Sequence, residues 1–149
     1  MTVCRRYARH SLEAEDILQD AFVKVFNHLH QFESKGSLEG WIRRIVVNTA
    51  LKNYGKLSFQ NESIGLENVY EDSAEPDVYG SLHQEELLKL IDKLPEGYRV
   101  VFNLAAIEGY SHKEIAASLG IEESTSRSQL TKARRQLQGQ VLNAQLIKL

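Results

Sequence analysis

The sequence predicts an all-α fold of two small helical domains joined by an acidic linker. Apolar residues recur at helical spacing in both halves, strand-like alternation is absent, and a segment without Lys or Arg separates the halves. A length of 149 residues allows one ordinary domain or two small ones, each with a modest core. We predict helical domains over 1–56 and 84–140, a linker over 57–83 and a C-terminal tail over 141–149.

The formal net charge of -2 is unfavourable for a nucleic-acid partner, but the charge is unevenly distributed. Between Leu57 and Leu88 the chain has eight acidic residues and no Lys or Arg. The remainder holds 18 basic and 12 acidic residues, an excess of six positive charges. Because charge asymmetry indicates partners better than total charge does, both helical parts are candidates for binding nucleic acid.

Several classes of protein are excluded by the residues that the chain contains. Cys4 is the single cysteine, which excludes an intrachain disulfide or a multi-cysteine metal site. His28 and His30 point in different directions on a helix and cannot share a metal ion. No phosphate-binding loop, nucleophile elbow or membrane-length apolar run occurs. We therefore expect no catalytic residues, metal, cofactor, small-molecule substrate or membrane insertion.

The first predicted helix starts at Leu12, with Ser11 as its expected N-cap. Its apolar residues form one stripe: Ile17, Leu18, Ala21, Phe22, Val25, Phe26 and Leu29. Asp16, Gln19 and Asp20 cluster on another side, because residues three and four apart are neighbours on a helix. This cluster is either a solvated face or a binding surface.

Ser37 is expected to cap a second helix that ends near Gly55. Its apolar stripe includes Trp41, which we place in the core rather than at a stacking site. Its polar positions carry four residues able to contact phosphates and bases: Arg43, Arg44, Asn48 and Lys52. Basic faces also serve solubility, so this group by itself does not assign a function.

The C-terminal part predicts a helix-turn-helix. Two short helices are expected around Pro95, the second ending at Gly109. Ser111 and Glu114 then form an S-x-x-E capping box, and Gly120 can adopt the positive φ of a tight turn. The next helix exposes cations, as does the helix of such motifs that enters the DNA major groove. The alternative is a helical hairpin with a solvated basic face.

On these residues the chain resembles the extracytoplasmic-function (ECF) group of bacterial RNA polymerase sigma factors, in the sigma-70 family. The region 2 helix that binds core polymerase resembles AEDILQDAFVKVFNHLHQF, and the helix that reads the -10 promoter element resembles SLEGWIRRIVVNTALKNY. Region 4, which reads the -35 element, resembles LPEGYRVVFNLAAIEGYSHKEIAASLGIEESTSRSQLTKARRQL. Within it, ESTSRSQLTKARRQL is similar to the form found in sigma factors of the Bacteroidetes type.

The resemblance implies a role for three sets of residues. The set that would bind core polymerase is Asp16, Gln19 and Asp20. The set that would bind the -10 element is Arg43, Arg44, Asn48 and Lys52. The set that would bind the -35 element is Arg127, Ser128, Thr131 and Lys132. The implied partners are core RNA polymerase, promoter DNA and an anti-sigma factor, in the cytoplasm.

Two departures from the family pattern carry expectations of their own. Family members normally begin earlier, so region 2 is expected to lack its first helix and to expose Phe22 and Phe26. Ser126 stands where many relatives have an apolar residue, and its hydroxyl is expected to bond back to a helix carbonyl. Two other functions stay open: a stand-alone helix-turn-helix regulator, or a shortened sigma fragment that binds partners without initiating transcription.

Overall fold

A computed structural model of the chain describes residues 1–58 and 84–147. Throughout these two ranges the regular structure is helical, which confirms the predicted all-α class. We call residues 1–58 the N-terminal lobe and residues 84–147 the C-terminal lobe. The predicted acidic linker lies outside the described residues, except for Leu57 and Ser58.

The N-terminal lobe consists of three α-helices and one short turn of 3-10 helix. Helix α1 covers Thr2–Tyr7, α2 covers Ser11–His28 and α3 covers Leu38–Ser58, while the 3-10 turn covers Leu29–Gln31. Ser37 caps α3 as predicted, since its hydroxyl accepts the Gly40 N–H at 3.0 Å. Helix α3 continues three residues past its predicted end near Gly55.

Helix α2 differs from the prediction at its N-cap. The N-cap is His10 and not Ser11, and its Nδ1 atom accepts the Glu13 N–H at 3.2 Å. Glu13 in turn accepts the Arg9 N–H at 2.6 Å. An imidazole nitrogen therefore satisfies a helix N–H that a Ser hydroxyl was expected to bind.

The apolar stripe of α2 is only partly buried. Its buried residues are Ala14, Ile17, Ala21 and Val25, and the first three belong to a cluster with residues of α1 and α3. The rings of Phe22 and Phe26 are 41% and 72% exposed, and Leu29 is also exposed. The apolar stripe alone predicts that Phe22, Phe26 and Leu29 are buried, and this is wrong. The family pattern, in contrast, predicts that both Phe rings are exposed. In the described part of the chain, α1 and α3 cover only the Ala14–Val25 side of α2.

The C-terminal lobe contains four α-helices and a turn of π-helix. Helix α4 covers Gln84–Asp92, α5 covers Glu96–Phe102, and the π-turn covers Asn103–Ile107 directly after α5. Gly109 then adopts a φ of 75°, a conformation that glycine reaches at little cost. The lobe is completed by α6 and α7, over His112–Leu119 and Glu123–Ile147.

Helices α6 and α7 form the predicted helix-turn-helix. The Ser111–Glu114 capping box is present in both directions, with the Ser111 N–H donating to Glu114 at 2.9 Å. Gly120 ends α6 with a φ of 68°, and the Ile121 N–H donates to the Ala116 carbonyl at 3.1 Å. The predicted C-terminal tail is helical through Ile147.

The two lobes share one hydrophobic core. Val47 of α3 lies in the same buried cluster as Val100 and Leu104 of the C-terminal lobe and Ile115 of α6. A second cluster, which includes Ile91 and Ala133, is confined to the C-terminal lobe. Both predicted helical lobes are present, and the buried cluster of the N-terminal lobe continues into the C-terminal lobe. The N-terminal helices therefore bury part of their apolar surface against the other lobe.

Candidate nucleic-acid interface

Helix α3 divides its four candidate DNA-binding residues between two places. Asn48 and Lys52 are exposed and line a cavity between α2 and α3. Arg43 and Arg44 instead face the C-terminal lobe and line a second cavity there. Asn48 and Lys52 are four residues apart and share one face of α3, whereas Arg43 and Arg44 both border the cavity at the C-terminal lobe. The structure therefore brings the set together in two pairs.

The α2–α3 cavity has a volume of about 390 Å³. Its eight lining residues are Lys24, His28, Gln31, Trp41, Ile45, Asn48, Thr49 and Lys52. Thr49 is buried and donates to the Ile45 carbonyl at 2.8 Å, while its oxygen accepts from the Lys24 ammonium at 3.0 Å. These two hydrogen bonds hold the Lys24 ammonium group at the wall of the cavity.

Trp41 contributes an aromatic surface to the same cavity. It is half-buried, and its ring centroid lies 5.6 Å from that of Phe32, with the planes tilted by 52°. The prediction of a plain core position is therefore wrong for Trp41, because its ring also lines an open cavity. An aromatic face beside cations and an amide suits an unstacked nucleobase and its phosphate.

Lys24, His28 and Gln31 line the cavity but are not among the residues predicted from the sequence. They recur at i, i+4 and i+7 along α2 and its 3-10 extension, which places them on one face. That spacing was available in the sequence. The sequence does not give the position of α3, however, and without it this face cannot be told apart from an ordinary solvent-exposed polar face.

The second cavity, of about 330 Å³, lies between the lobes. Arg43 binds Glu108 through two bonds, from Nε to Oε2 at 2.6 Å and from Nη2 to Oε1 at 3.0 Å. The hydrogen bonds to Glu108 raise the pKa of Arg43. Arg44 lies 3.7 Å from Glu114 of α6. Both arginines thus meet carboxylates of the C-terminal lobe.

The candidate groove-facing residues of α7 lie on its outer surface. Arg127, Ser128 and Thr131 are exposed, and Lys132 is half-buried. Arg127 forms an ion pair of 2.8 Å with Glu123 one turn earlier, and Thr131 donates to the Arg127 carbonyl at 3.0 Å. These bonds hold the face in a helical array that can enter a major groove.

The candidate polymerase-binding residues Asp16, Gln19 and Asp20 are all exposed on α2. Val23 continues the same face one turn further and is also exposed. The face therefore combines acidic, amide and apolar groups. Such a mixture suits a protein partner better than a nucleic acid, whose phosphates the acids would repel.

Among the helices that the structure describes, none is long and apolar enough to cross a membrane. Within the same residues no group of three or more His, Cys, Asp or Glu side chains is placed to hold a metal ion. Cys4 is buried, and burial raises the pKa of its thiol, which makes the reactive thiolate scarce.

Comparison with protein families identifies both lobes. Residues 1–59 match the model for sigma-70 region 2, and residues 84–137 match the model for sigma-70 region 4. The relatives include the ECF RNA polymerase sigma factor SigE of Mycolicibacterium smegmatis, 31% identical over 130 residues, with 84% of this chain and 50% of the relative covered. They also include the ECF RNA polymerase sigma-E factor of Escherichia coli K12, 31% identical over 142 residues, with 87% and 74% covered.

Solved structures of similar fold include two sigma complexes. The sigma factor RpoE of Bartonella quintana, crystallised with the anti-sigma factor NepR, is 25% identical with a TM-score of 0.54, covering 93% of this chain and 86% of that one. CnrH, solved with the cytosolic domain of CnrY, has a TM-score of 0.50 and 22% identity, covering 95% and 79%. The second likeness concerns the fold alone.

Proposed function

The chain belongs to the sigma-70 family, among the ECF sigma factors of RNA polymerase, and on this premise we propose that it binds core RNA polymerase and directs promoter-specific transcription initiation. The observation that carries the proposal is the presence, in one chain, of the helix-turn-helix and of the α2–α3 cavity. A stand-alone helix-turn-helix regulator would need only α6 and α7.

We assign capture of an unstacked -10 base to the α2–α3 cavity. Trp41 offers a face for stacking, which contributes about 1–3 kcal/mol per base in single-strand binding proteins. Asn48 can hydrogen-bond a base edge, and Lys24 and Lys52 can neutralise the neighbouring phosphates. Arg43 and Arg44 would hold the strand backbone beyond the cavity.

Recognition of the -35 element is assigned to the exposed face of α7. Arg127 and Lys132 can donate to guanine, while the hydroxyls of Ser128 and Thr131 can donate to or accept from a base edge. The exposed Asp16, Gln19 and Asp20 face of α2 is assigned to core polymerase. It carries no positive charge that would draw it to DNA.

An anti-sigma factor is the proposed inhibitory partner. The support is the likeness to the Bartonella quintana factor, whose structure contains the anti-sigma factor NepR. Because both polymerase and promoter are cytoplasmic in bacteria, we place the chain in the cytoplasm. We assign it no catalytic residue, since the polymerase carries out RNA synthesis.

We also retain one narrower proposal that rests on the family pattern. The α7 sequence ESTSRSQLTKARRQL supports a Bacteroidetes-type sigma factor.

The function is tested by run-off transcription with purified chain and core polymerase. The chain is expected to produce a defined start site on genomic templates where core enzyme alone produces none. Binding to core without a start site would support the shortened fragment that does not initiate. Binding to a palindromic DNA site without polymerase would support the stand-alone regulator.

A further inference from the structure

A buried carboxylate connects the two lobes. The Glu108 side chain is only 4% exposed, although it is charged, and it follows the π-turn of the C-terminal lobe. Arg43 of α3 binds both of its oxygens, at 2.6 and 3.0 Å, and Arg6 of α1 approaches to 3.6 Å. A buried acid is stable when it is paired in this way. Glu108 therefore depends on the N-terminal lobe for its partners.

Further contacts across the same interface hold the lobes together. Asn103 is buried in the π-turn, and its side-chain amide donates to the Arg6 carbonyl at 3.2 Å. Arg9 and Glu96 form a more exposed ion pair of 2.9 Å at another edge. Val47 of α3 and Ile115 of α6 also belong to one buried apolar cluster that joins the lobes. The lobes are thus closed on one another by a specific interface.

This closed arrangement competes with the proposed DNA contact of Arg43. A guanidinium binds a carboxylate and a phosphate with the same two-pronged geometry, so the Nε–Nη2 edge of Arg43 that holds Glu108 is withheld from a DNA phosphate. Arg44 likewise faces Glu114 at 3.7 Å. A carboxylate of the C-terminal lobe thus pairs directly with Arg43, and a second lies close to the more exposed Arg44.

We propose that Glu108 is an autoinhibitory latch, which closes the C-terminal lobe over α3 and withholds Arg43 from single-stranded DNA. The proposal rests on the proposed function, because it concerns regulation of the -10 surface. A partner that binds the separated lobes more tightly than the closed pair shifts the equilibrium to the open form. The latch keeps the free protein from occupying DNA without such a partner.

The first measurement follows lobe separation without DNA. Fluorophores are placed by Asn27→Cys on α2 and Gln138→Cys on α7, both exposed positions, while buried Cys4 is protected from labelling. Glu108→Gln is expected to reduce energy transfer between the fluorophores. Asn103→Ala loosens the interface without changing charge and should do the same. Circular dichroism confirms that both variants keep their helices.

The second measurement follows DNA binding without polymerase, by anisotropy of a fluorescent oligothymidylate at low salt. Glu108→Gln and Asn103→Ala are expected to bind at least about fivefold more tightly than wild type, the lower end of typical coupling between linked equilibria. Removing any acid raises DNA affinity through net charge. Glu15→Gln, at an exposed position on α2, is the charge-matched control and should show a smaller gain.

Each outcome judges a different step. Unchanged energy transfer in both Glu108→Gln and Asn103→Ala would overturn the latch. Reduced energy transfer with no gain in DNA affinity beyond that of Glu15→Gln would overturn the withholding of Arg43. Failure of the proposed function is seen separately, as the absence of a start site in run-off transcription, while energy transfer still reports on the closed lobes.

Discussion

Ser126 is the residue at which the structure departs most informatively from expectation. It is 0% exposed, and a hydrogen bond of 2.9 Å joins its hydroxyl to Nδ1 of His112. The expected bond back to a helix carbonyl is therefore wrong, and the partner is the first residue of α6. The Ser126 hydroxyl therefore joins α6 to α7 by a hydrogen bond. Many relatives have an apolar residue at this position, which would join the two helices by packing.

Ser126→Ala is expected to lower the free energy of unfolding by about 1 kcal/mol, because it leaves a half-buried imidazole nitrogen without its partner. Urea denaturation measures the change. Ser118→Ala on α6 removes the same hydroxyl at an exposed position and should alter stability by less than about 0.5 kcal/mol. Equal effects of the two substitutions would show that the bond to His112 contributes nothing.

Single residues also separate the two binding roles. Arg127→Ala is expected to impair recognition of the -35 element, with a loss of about 1–3 kcal/mol in discrimination if Arg127 contacts a base edge. Asp20→Ala should weaken binding to core polymerase on any template, because its exposed carboxylate lies on the opposite lobe. Core binding and footprinting are measured for both variants. Loss of the same step in both would refute the division of roles.

Local rules predicted residues whose partners are near in sequence. Ser111 and Glu114 are three residues apart, and the turn at Gly120 depends only on the backbone conformation of that glycine. The capping box and the turn could therefore both be predicted from the sequence. The Arg43–Glu108 pair joins residues 65 positions apart, and no local rule selects Glu108 among the acids of the chain. The sequence could therefore name candidate DNA-binding residues, but it could not identify the carboxylates that pair with Arg43 and Arg44.

At the scale of elements, the capping box of α6 gives the lobe a dependence on pH. Hydrogen bonds from the Ser111 N–H and hydroxyl lower the pKa of Glu114 below its ordinary value of 4.5, with a smaller contribution from Arg44. A lowered pKa in the folded state stabilises the protein above the unfolded pKa. That stability is lost as the pH falls through the folded pKa.

Glu114→Gln is therefore expected to be less stable than wild type at neutral pH, and the difference should shrink as the pH falls below about 4.5. Urea denaturation of both proteins between neutral and acidic pH measures this convergence. Glu122→Gln, at an exposed position in the turn before α7, is the matched control. A difference that persists at low pH would show that the Glu114 charge is not responsible.

The length and type of elements were predicted better than the faces that they bury. The stripe of α2 was correct in period, yet Phe22 and Phe26 are exposed because α1 and α3 cover only the side that carries Ala14 and Ile17. Helix α5 was expected to run to Gly109, but a π-turn begins at Asn103. That turn aims the buried Asn103 amide at a carbonyl of the other lobe, which periodicity does not encode.

At the scale of the molecule, the packing of the lobes on each other was not predictable. Hydrophobic spacing identifies Val47 and Ile115 as apolar positions of their helices, but it does not say that they meet. The same limit applies to charge, because an excess of cations on both lobes suggested two independent DNA-binding units. The structure makes them one unit with a shared core, and part of the basic surface is neutralised within the interface.

A shared core predicts that the lobes unfold together. Trp41 is the single tryptophan and lies on the N-terminal lobe beside Phe32, so its fluorescence reports on that lobe, whereas circular dichroism reports on all helices. The two thermal transitions should coincide in the wild type. Glu108→Gln should separate them, because losing the carboxylate of a mostly buried ion pair costs about 2 kcal/mol after allowance for the 39% exposure of Arg43. Glu15→Gln should leave them coincident, and separate transitions in the wild type would contradict a common core.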